Sequence, residues 1–238
     1  MVRNLPPQQP PPVQRLLIQY GKRGRMRFAS HRDFARSFER ALRRAEVPMA
    51  YSSGFHPHPR ISYINPTFTG AESEAEYLVV GLRCPVDSAE VRGRLGAAMP
   101  EGLPILSVVE GVAESKFEAS LWQVEFAAAV SHGDGSSGPE PLSELESACR
   151  TVLAAAPGSL LVTRETKNGP RQFDIREPLV ELRVVGAAQL RMLIRHSEPL
   201  VRPDDVVQAL RGIVSTLPEP TRLLRCAQGP LVDLADIF

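Results

Sequence analysis

Thirteen residues, Tyr51 to Tyr63 (YSSGFHPHPRISY), gather two histidines, one arginine and three aromatic rings around two prolines and a glycine. Three kinds of chemistry want such groups. The first is metal binding: His56 and His58, two apart, project to the same side of an extended segment, and His31 supplies a further imidazole if the fold brings it near. Zinc usually needs three or four well-placed ligands, and no third ligand stands at a diagnostic spacing. The second is structural, with Pro57 and Pro59 stiffening an exposed loop that the histidines cap. The third is nucleic-acid contact. Tyr51, Phe55 and Tyr63 offer faces for base stacking, and Arg60 and His56 can hydrogen-bond phosphate or base edges. Gly54 permits close backbone approach, and proline rigidity lowers the cost of ordering the loop on binding.

The charge pattern bears on this choice. The chain of 238 residues has a formal charge of only +1, yet residues 13–60 hold eleven Lys/Arg against three acids, giving that segment +8. Such a segment in a near-neutral chain is an electrostatic footprint for polyanions. Within it, Ser30 is a good N-cap and Asp33 gives an acidic first turn, which predicts a helix from about His31 to Glu46. Phe34, Phe38, Ala41, Leu42 and Ala45 fall on one buried stripe. Arg32, Arg36, Arg40 and Arg43/Arg44 form a ridge opposite it. A solvated helix face is the ordinary reading of such a ridge, but only Glu39 and Glu46 break its sign, so ion pairs along the helix do not account for it.

The remaining elements must position these groups. Residues 1–12 (MVRNLPPQQPPP) read as a disordered, proline-rich leader. VQRLLIQYGKRGRMRF reads as a strand, a turn and a strand continuation with Arg25 and Arg27 on one face. MAYSS is expected to start the second strand, followed by a loop through GFHPHPRISYINPTFTGAESE. AEYLVVGLRC reads as a strand, DSAEVRGRLGAAM as a helix capped by Asp87 or Ser88, and LPILSVVEGV as a strand. Glu72, Glu74 and Glu76 are read as an acidic loop leading into that third strand, and a cation or basic partner is the less common alternative. The order over residues 13–112 is β-α-β-β-α-β, the ferredoxin-like pattern.

A second run of the same order, with an extra β segment, is expected over residues 118–238. ASLWQVEFAAAV is a strand, with Trp122 read as core, and SHGDGSSGPEP a flexible loop. LSELESACRTVLAA is a helix, and SLLVTRETKNGPRQFDI a hairpin turning at Asn168-Gly169. One or two strands follow in LVELRVVGAAQLRMLIRHS, then a helix in RPDDVVQALRGI and a closing strand in TRLLRCAQGPLV. Lys167, Arg171, Asp174 and Arg176 ring the hairpin, either as charges that keep an edge soluble or as further RNA or partner contacts. The expected fold is α+β, with two ferredoxin-like units in tandem and helices on one face of antiparallel sheets.

Three scattered cysteines, Cys84, Cys149 and Cys226, suit reduced thiols rather than a disulfide framework. No apolar run spans a bilayer and no signal-peptide core is present. The expectation is a cytoplasmic protein without metal, cofactor or membrane partner.

The run RGRMRFASHRDFARSFERALRRAEVPMAYSSGFHPHPRISY, with GAESEAEYLVVGL, FDIREPLVEL and RPDDVVQAL after it, closely resembles the radical-SAM-linked proteins of the DUF2344 family over nearly all of residues 13–238. Members stand alone or are fused to a radical SAM protein, and their genes commonly sit near those for ribonuclease E/G and ribosomal proteins. The resemblance implies a radical SAM protein as partner and tRNA or rRNA as its RNA. This chain has no CxxxCxxC motif with which to hold the radical SAM cluster itself. A weaker resemblance, to CRISPR repeat-processing endoribonucleases, rests on two ferredoxin-like units with a histidine opening the first helix. It implies metal-free cleavage with His31, Tyr51 and His56 as catalytic groups and Arg25 or Arg60 stabilising the phosphorane. An adaptor that binds the radical SAM partner without RNA is the third reading. The RNA-binding residues expected are Arg25, Arg27, Arg32, Arg36, Arg40, Tyr51, Phe55, His56, His58, Arg60, Lys167 and Arg176.

Overall fold

The computed structural model of the chain describes residues 8–112, 117–127, 141–166, 169–186 and 188–238, without the side chains of 141 and 142. The expected flexible loop around 131–141 is almost entirely outside these residues, as are Lys167 and Asn168. The chain forms two compact units, Met1–Glu114 and Ser115–Phe238. Among the described residues it is a mixed α+β protein with largely antiparallel strands and five α-helices.

The first unit runs β1 (Gln14–Lys22), a 3₁₀ turn (Gly24–Phe28), α1 (His31–Arg44), β2 (Ile61–Ile64), β3 (Glu72–Leu82), α2 (Ser88–Ala98) and β4 (Ile105–Glu110). β1 lies between β4 and β3, and β2 pairs with the far side of β3; all three pairings are antiparallel. Alternate residues Leu16, Ile18 and Tyr20 of β1 and Leu78, Val80 and Leu82 of β3 face one core. Phe34, Phe38, Ala41 and Leu42 of α1 and Val91, Leu95 and Ala98 of α2 fill it. Both helices therefore cover the same sheet face. α1 begins where expected, with the Ser30 hydroxyl accepting from the Asp33 amide at 3.2 Å, and its last turn carries Arg43 and Arg44 beside the negative end of the helix dipole. α2 is capped by Asp87, which accepts from the Glu90 amide at 2.8 Å.

Three expectations in this unit are corrected. GRMRF is a 3₁₀ turn rather than a strand continuation, because Gly24 takes φ +56 and breaks the extended run. Arg25 and Arg27 do not share a strand face. MAYSS makes only isolated bridges, Met49 with Leu82 and Tyr51 with Pro59. The second strand is Ile61–Ile64, so the histidine loop precedes it and follows α1. Glu72, Glu74 and Glu76 belong to strand β3 itself and not to a loop before it. Of the leader, Pro12 lies against Gly81, where an added Cβ would meet its ring at 2.7 Å, and the Gln9 amide donates to the Ser53 hydroxyl at 2.8 Å.

The second unit runs β5 (Ala119–Phe126), α3 (Pro141–Ala154), β6 (Leu161–Thr166), β7 (Gly169–Asp174), β8 (Leu179–Val184), β9 (Gln189–Arg195), α4 (Pro203–Ile213), β10 (Pro220–Gly229) and α5 (Leu231–Asp236). β5 lies between β10 and β9, and β8 pairs with β9, again antiparallel throughout. Counted without the β6–β7 hairpin, this is the first unit's strand order. Arg164 of β6 ties that hairpin to α4 through a two-pronged contact with the buried Asp205 carboxylate, one prong being Nε to Oδ1 at 3.0 Å, and its guanidinium covers the Phe173 ring. Trp122 is core at 6% exposed. The short α5 was not expected from the sequence.

His196, just after β9, is half-buried. Its Nδ1 donates to the Phe117 carbonyl at 2.6 Å, and its Nε2 shares a hydrogen bond with the Ser120 hydroxyl at 2.7 Å. Burial lowers the imidazole pKa from its ordinary 6.5, with Arg225 adding to the effect and the Phe117 carbonyl opposing it. The unfolded imidazole therefore takes up a proton at higher pH than the folded one, and stability is lost as the pH falls below 6.5 toward the folded value. Denaturant midpoints measured from about pH 7.5 down to 5.5 should fall, and His196→Gln should flatten that part of the profile. An unchanged slope in the variant would remove His196 from the account.

Candidate nucleic-acid interface

The apolar stripe of α1 decides where its charges go. With Phe34, Phe38, Ala41 and Leu42 buried, Arg32, Arg36 and Arg40 stand exposed on the opposite side. Each step of four residues raises the guanidinium by about 6 Å along the axis. Among the described residues none of these three is in an ion pair, and neither is Arg25 or Arg43. Arg44 turns aside and donates to the Ala98 carbonyl.

Other members of the basic segment are used internally. Glu74 accepts two hydrogen bonds from Arg23, at 2.7 and 2.6 Å, and this pairing, opposed by some burial, raises the Arg23 pKa. Glu72, buried in β3, accepts from the Gly24 amide at 3.0 Å and lies 3.5 Å from Arg27. Glu76 accepts from the Thr67 amide at 3.1 Å. Lys22, also buried, donates to the Phe68 carbonyl at 3.2 Å. The carboxylates of β3 thus fasten the 3₁₀ turn, and Arg25, Arg32, Arg36 and Arg40, with Arg15 and Arg43, are among the cations left facing outward.

The histidine loop is closed at its base. The Ser52 amide donates to the His58 carbonyl at 2.8 Å, and the His58 amide donates to the Ser52 hydroxyl at 3.0 Å. Arg60 donates from Nε to the Tyr51 carbonyl at 3.1 Å, while its backbone joins Ala50 and Gly81. Gly54 takes φ +124, a conformation that strongly favours glycine, and the tip presents Phe55, 77% exposed, and His56 to solvent. His58, also exposed, lines a cavity of about 220 Å³ with Tyr51 and with Glu39, Leu42 and Arg43 of α1. Tyr51 is 41% exposed.

His31 takes another position. Its ring meets the Tyr63 ring edge-on at 4.8 Å, and Tyr63 packs in turn against Phe34 at 5.6 Å. Burial, reinforced by Glu39, raises the Tyr63 pKa and keeps the phenol protonated. Among the described residues no hydrogen bond or ring contact joins His31 to His56 or His58. Among the described residues no three His, Cys, Asp or Glu side chains group as metal ligands do. In the second unit, Arg176 donates to the carbonyls of Ala155, at 3.2 Å, and Leu179, at 2.7 Å, and Arg171 is exposed on β7.

One group at this surface, Phe28, escaped the sequence reading, and one expectation, Tyr63 as a stacking face beside Tyr51 and Phe55, is corrected. Phe28 stands 61% exposed at the end of the 3₁₀ turn, where alternation placed it on a strand. Tyr63 lies beside His31 rather than with Tyr51 and Phe55. The signal for the first was Gly24, which favours a turn just ahead of Arg25.

Fold and surface define an α+β protein with an exposed cationic helix face and a braced, aromatic-tipped loop; no described helix is long and apolar enough to cross a membrane. The family model described as "Uncharacterized protein conserved in bacteria (DUF2344)" matches residues 15–203. The chain belongs to the DUF2344 family. A comparison with curated proteins finds no match.

The position of Arg25 depends on the contact of the turn with Gly102. The Arg23 amide donates to the Gly102 carbonyl at 2.8 Å. Gly102 has φ +84, and a Cβ there would sit 2.8 Å from the Arg23 carbonyl oxygen. Gly102→Ala should destabilise the first unit by about 1–3 kcal/mol and speed hydrogen exchange at the Arg23 amide. Wild-type stability and exchange in the variant would contradict this role.

Proposed function

We propose that the chain is an RNA-binding accessory protein that works beside a radical SAM enzyme on tRNA or rRNA. The observation that carries the RNA reading is the row Arg32, Arg36 and Arg40, exposed and without carboxylate partners among the described residues. Like charges four apart on a helix repel by a few tenths of a kcal/mol per pair. A polyanion laid along α1 relieves that repulsion. The braced loop adds Phe55, His56 and Tyr51, groups suited to bases and phosphates, on a segment whose ordering is already complete.

The radical SAM partnership and the choice of tRNA or rRNA rest on the family resemblance. We read both units as ferredoxin-like, a reading supported by the shared order of four antiparallel strands, the central pair being β1 and β3 in one unit and β5 and β9 in the other. The endoribonuclease reading needs His31 and His56 at one cleft. His31 packs on Tyr63 and the His56 side chain faces solvent, so the geometry favours binding over cleavage.

Arg36→Glu with Arg40→Glu should weaken RNA binding sharply while leaving the fold intact, since both positions lie off the apolar stripe. Wild-type affinity should fall with salt at a log–log slope of about −0.7 per phosphate neutralised on a single strand. Unchanged affinity in the double variant would sink the reading.

His56→Ala separates a binder from a nuclease. Binding and single-turnover cleavage of tRNA and rRNA fragments in EDTA should show no cleavage by wild type, and His56→Ala should weaken binding by about 0.5–3 kcal/mol, one hydrogen bond's worth. Specific cleavage that survives EDTA and disappears in His31→Ala or His56→Ala would replace this proposal with the endoribonuclease.

A further inference from the structure

Single apolar side chains in water are common and need no explanation, but Phe28 is held in place. Its ring is 61% exposed and sits two residues before Ser30, the cap of α1. The Arg27 guanidinium carbon lies 4.8 Å from its centroid, a cation–π contact that covers one face of the ring. Arg27 is in turn drawn toward Glu72, a side chain only 9% exposed, at 3.5 Å. The backbone is fastened as well: the Arg27 carbonyl accepts from the Gly70 amide at 2.7 Å, and the Ala29 amide donates to the Met26 carbonyl at 3.1 Å. A buried carboxylate steadies a guanidinium, the guanidinium backs an aromatic ring, and the remaining ring surface is open to water. On either side in sequence, Arg25 and Arg32 are exposed and unpaired among the described residues.

A steadied aromatic face, flanked in sequence by exposed guanidiniums, matches the recognition chemistry of an unpaired nucleobase with its two flanking phosphates. Duplex RNA offers phosphates but keeps its base faces within the stack. An acidic peptide offers charge and no planar face. We propose that the RNA bound by this surface is single-stranded where it meets the start of α1, with one unpaired base stacked on Phe28 and the adjoining phosphates on Arg25 and Arg32. This deepens the RNA reading above and rests on it.

The experiment compares four probes: a short oligoribonucleotide unable to self-pair, its duplex, an abasic strand of the same length, and polyglutamate. Each is titrated against wild type, Phe28→Ala, Phe28→Trp and the Arg36→Glu/Arg40→Glu double variant, with circular dichroism confirming the fold of each. The single strand should bind wild type more tightly than the other three probes. Phe28→Ala should lower that affinity by about five- to a hundredfold, the effect of one lost stacked base, while leaving the abasic strand unaffected, and Phe28→Trp should restore it. If Phe28→Ala binds the single strand as wild type does while the double arginine variant loses it, the stacking inference fails and the RNA reading stands. Duplex or polyglutamate binding as tight as that of the single strand would also overturn the inference. Absence of binding to every RNA probe would overturn both.

Discussion

Phe34 and Phe38 pack against the Tyr20 ring at centroid distances of 4.9 and 5.8 Å, and this junction between α1 and β1 governs the rest of the first unit. It fixes the rotation of α1 about its own axis. Once residues 34, 38, 41 and 42 are inside, the helical period leaves Arg32, Arg36 and Arg40 nowhere but outside. The arginine row is thus a consequence of core packing as much as of composition, and a helix rotated by one residue would have to bury a guanidinium to keep a phenylalanine in the core.

The second constraint is how the unit disposes of its positive charge. β3 places Glu72, Glu74 and Glu76 on one side of the strand by its period of two. They engage Arg27, Arg23 and the backbone amides of Gly24 and Thr67. Exposed ion pairs add little to stability, so the value of Arg23–Glu74 lies in geometry: it pins a turn that would otherwise be a loose continuation of β1. The same carboxylates divide the basic segment into cations that build the fold and cations that face outward.

Much of this was legible in the sequence. The start of α1, its Ser30 cap, its buried stripe and its ridge follow from a period of 3.6 and from capping chemistry, both local properties, while its end comes two residues before the expected Glu46. The loop at 52–58 was readable as exposed because Gly54, Pro57 and Pro59 cannot serve a central strand. What failed was non-local. Met49–Tyr51 has the composition of a strand, but the segment is caught by single bridges to Leu82 and Pro59, and Ile61–Ile64 takes the ladder position beside β3. The alternation of Arg25, Met26, Arg27 and Phe28 mimicked a strand, whereas Gly24 and the carboxylates of a strand some fifty residues on impose a 3₁₀ turn. The strand order of the second unit depended on recognising β6–β7 as an insertion, which only the pairing of β8 with β9 reveals. At the interface, the charges were readable from the sequence alone, but which of them are free depended on β3.

The central claim is that the outward face of α1, together with the aromatic groups beside it, meets RNA. Ultraviolet crosslinking of the full chain in cells, with sequencing of the attached RNA and mapping of the attached peptides, tests it most directly. The account predicts enrichment of tRNA or rRNA fragments joined to peptides within residues 25–63. Recovery of no RNA above background, or of crosslinks confined to the second unit, would contradict it.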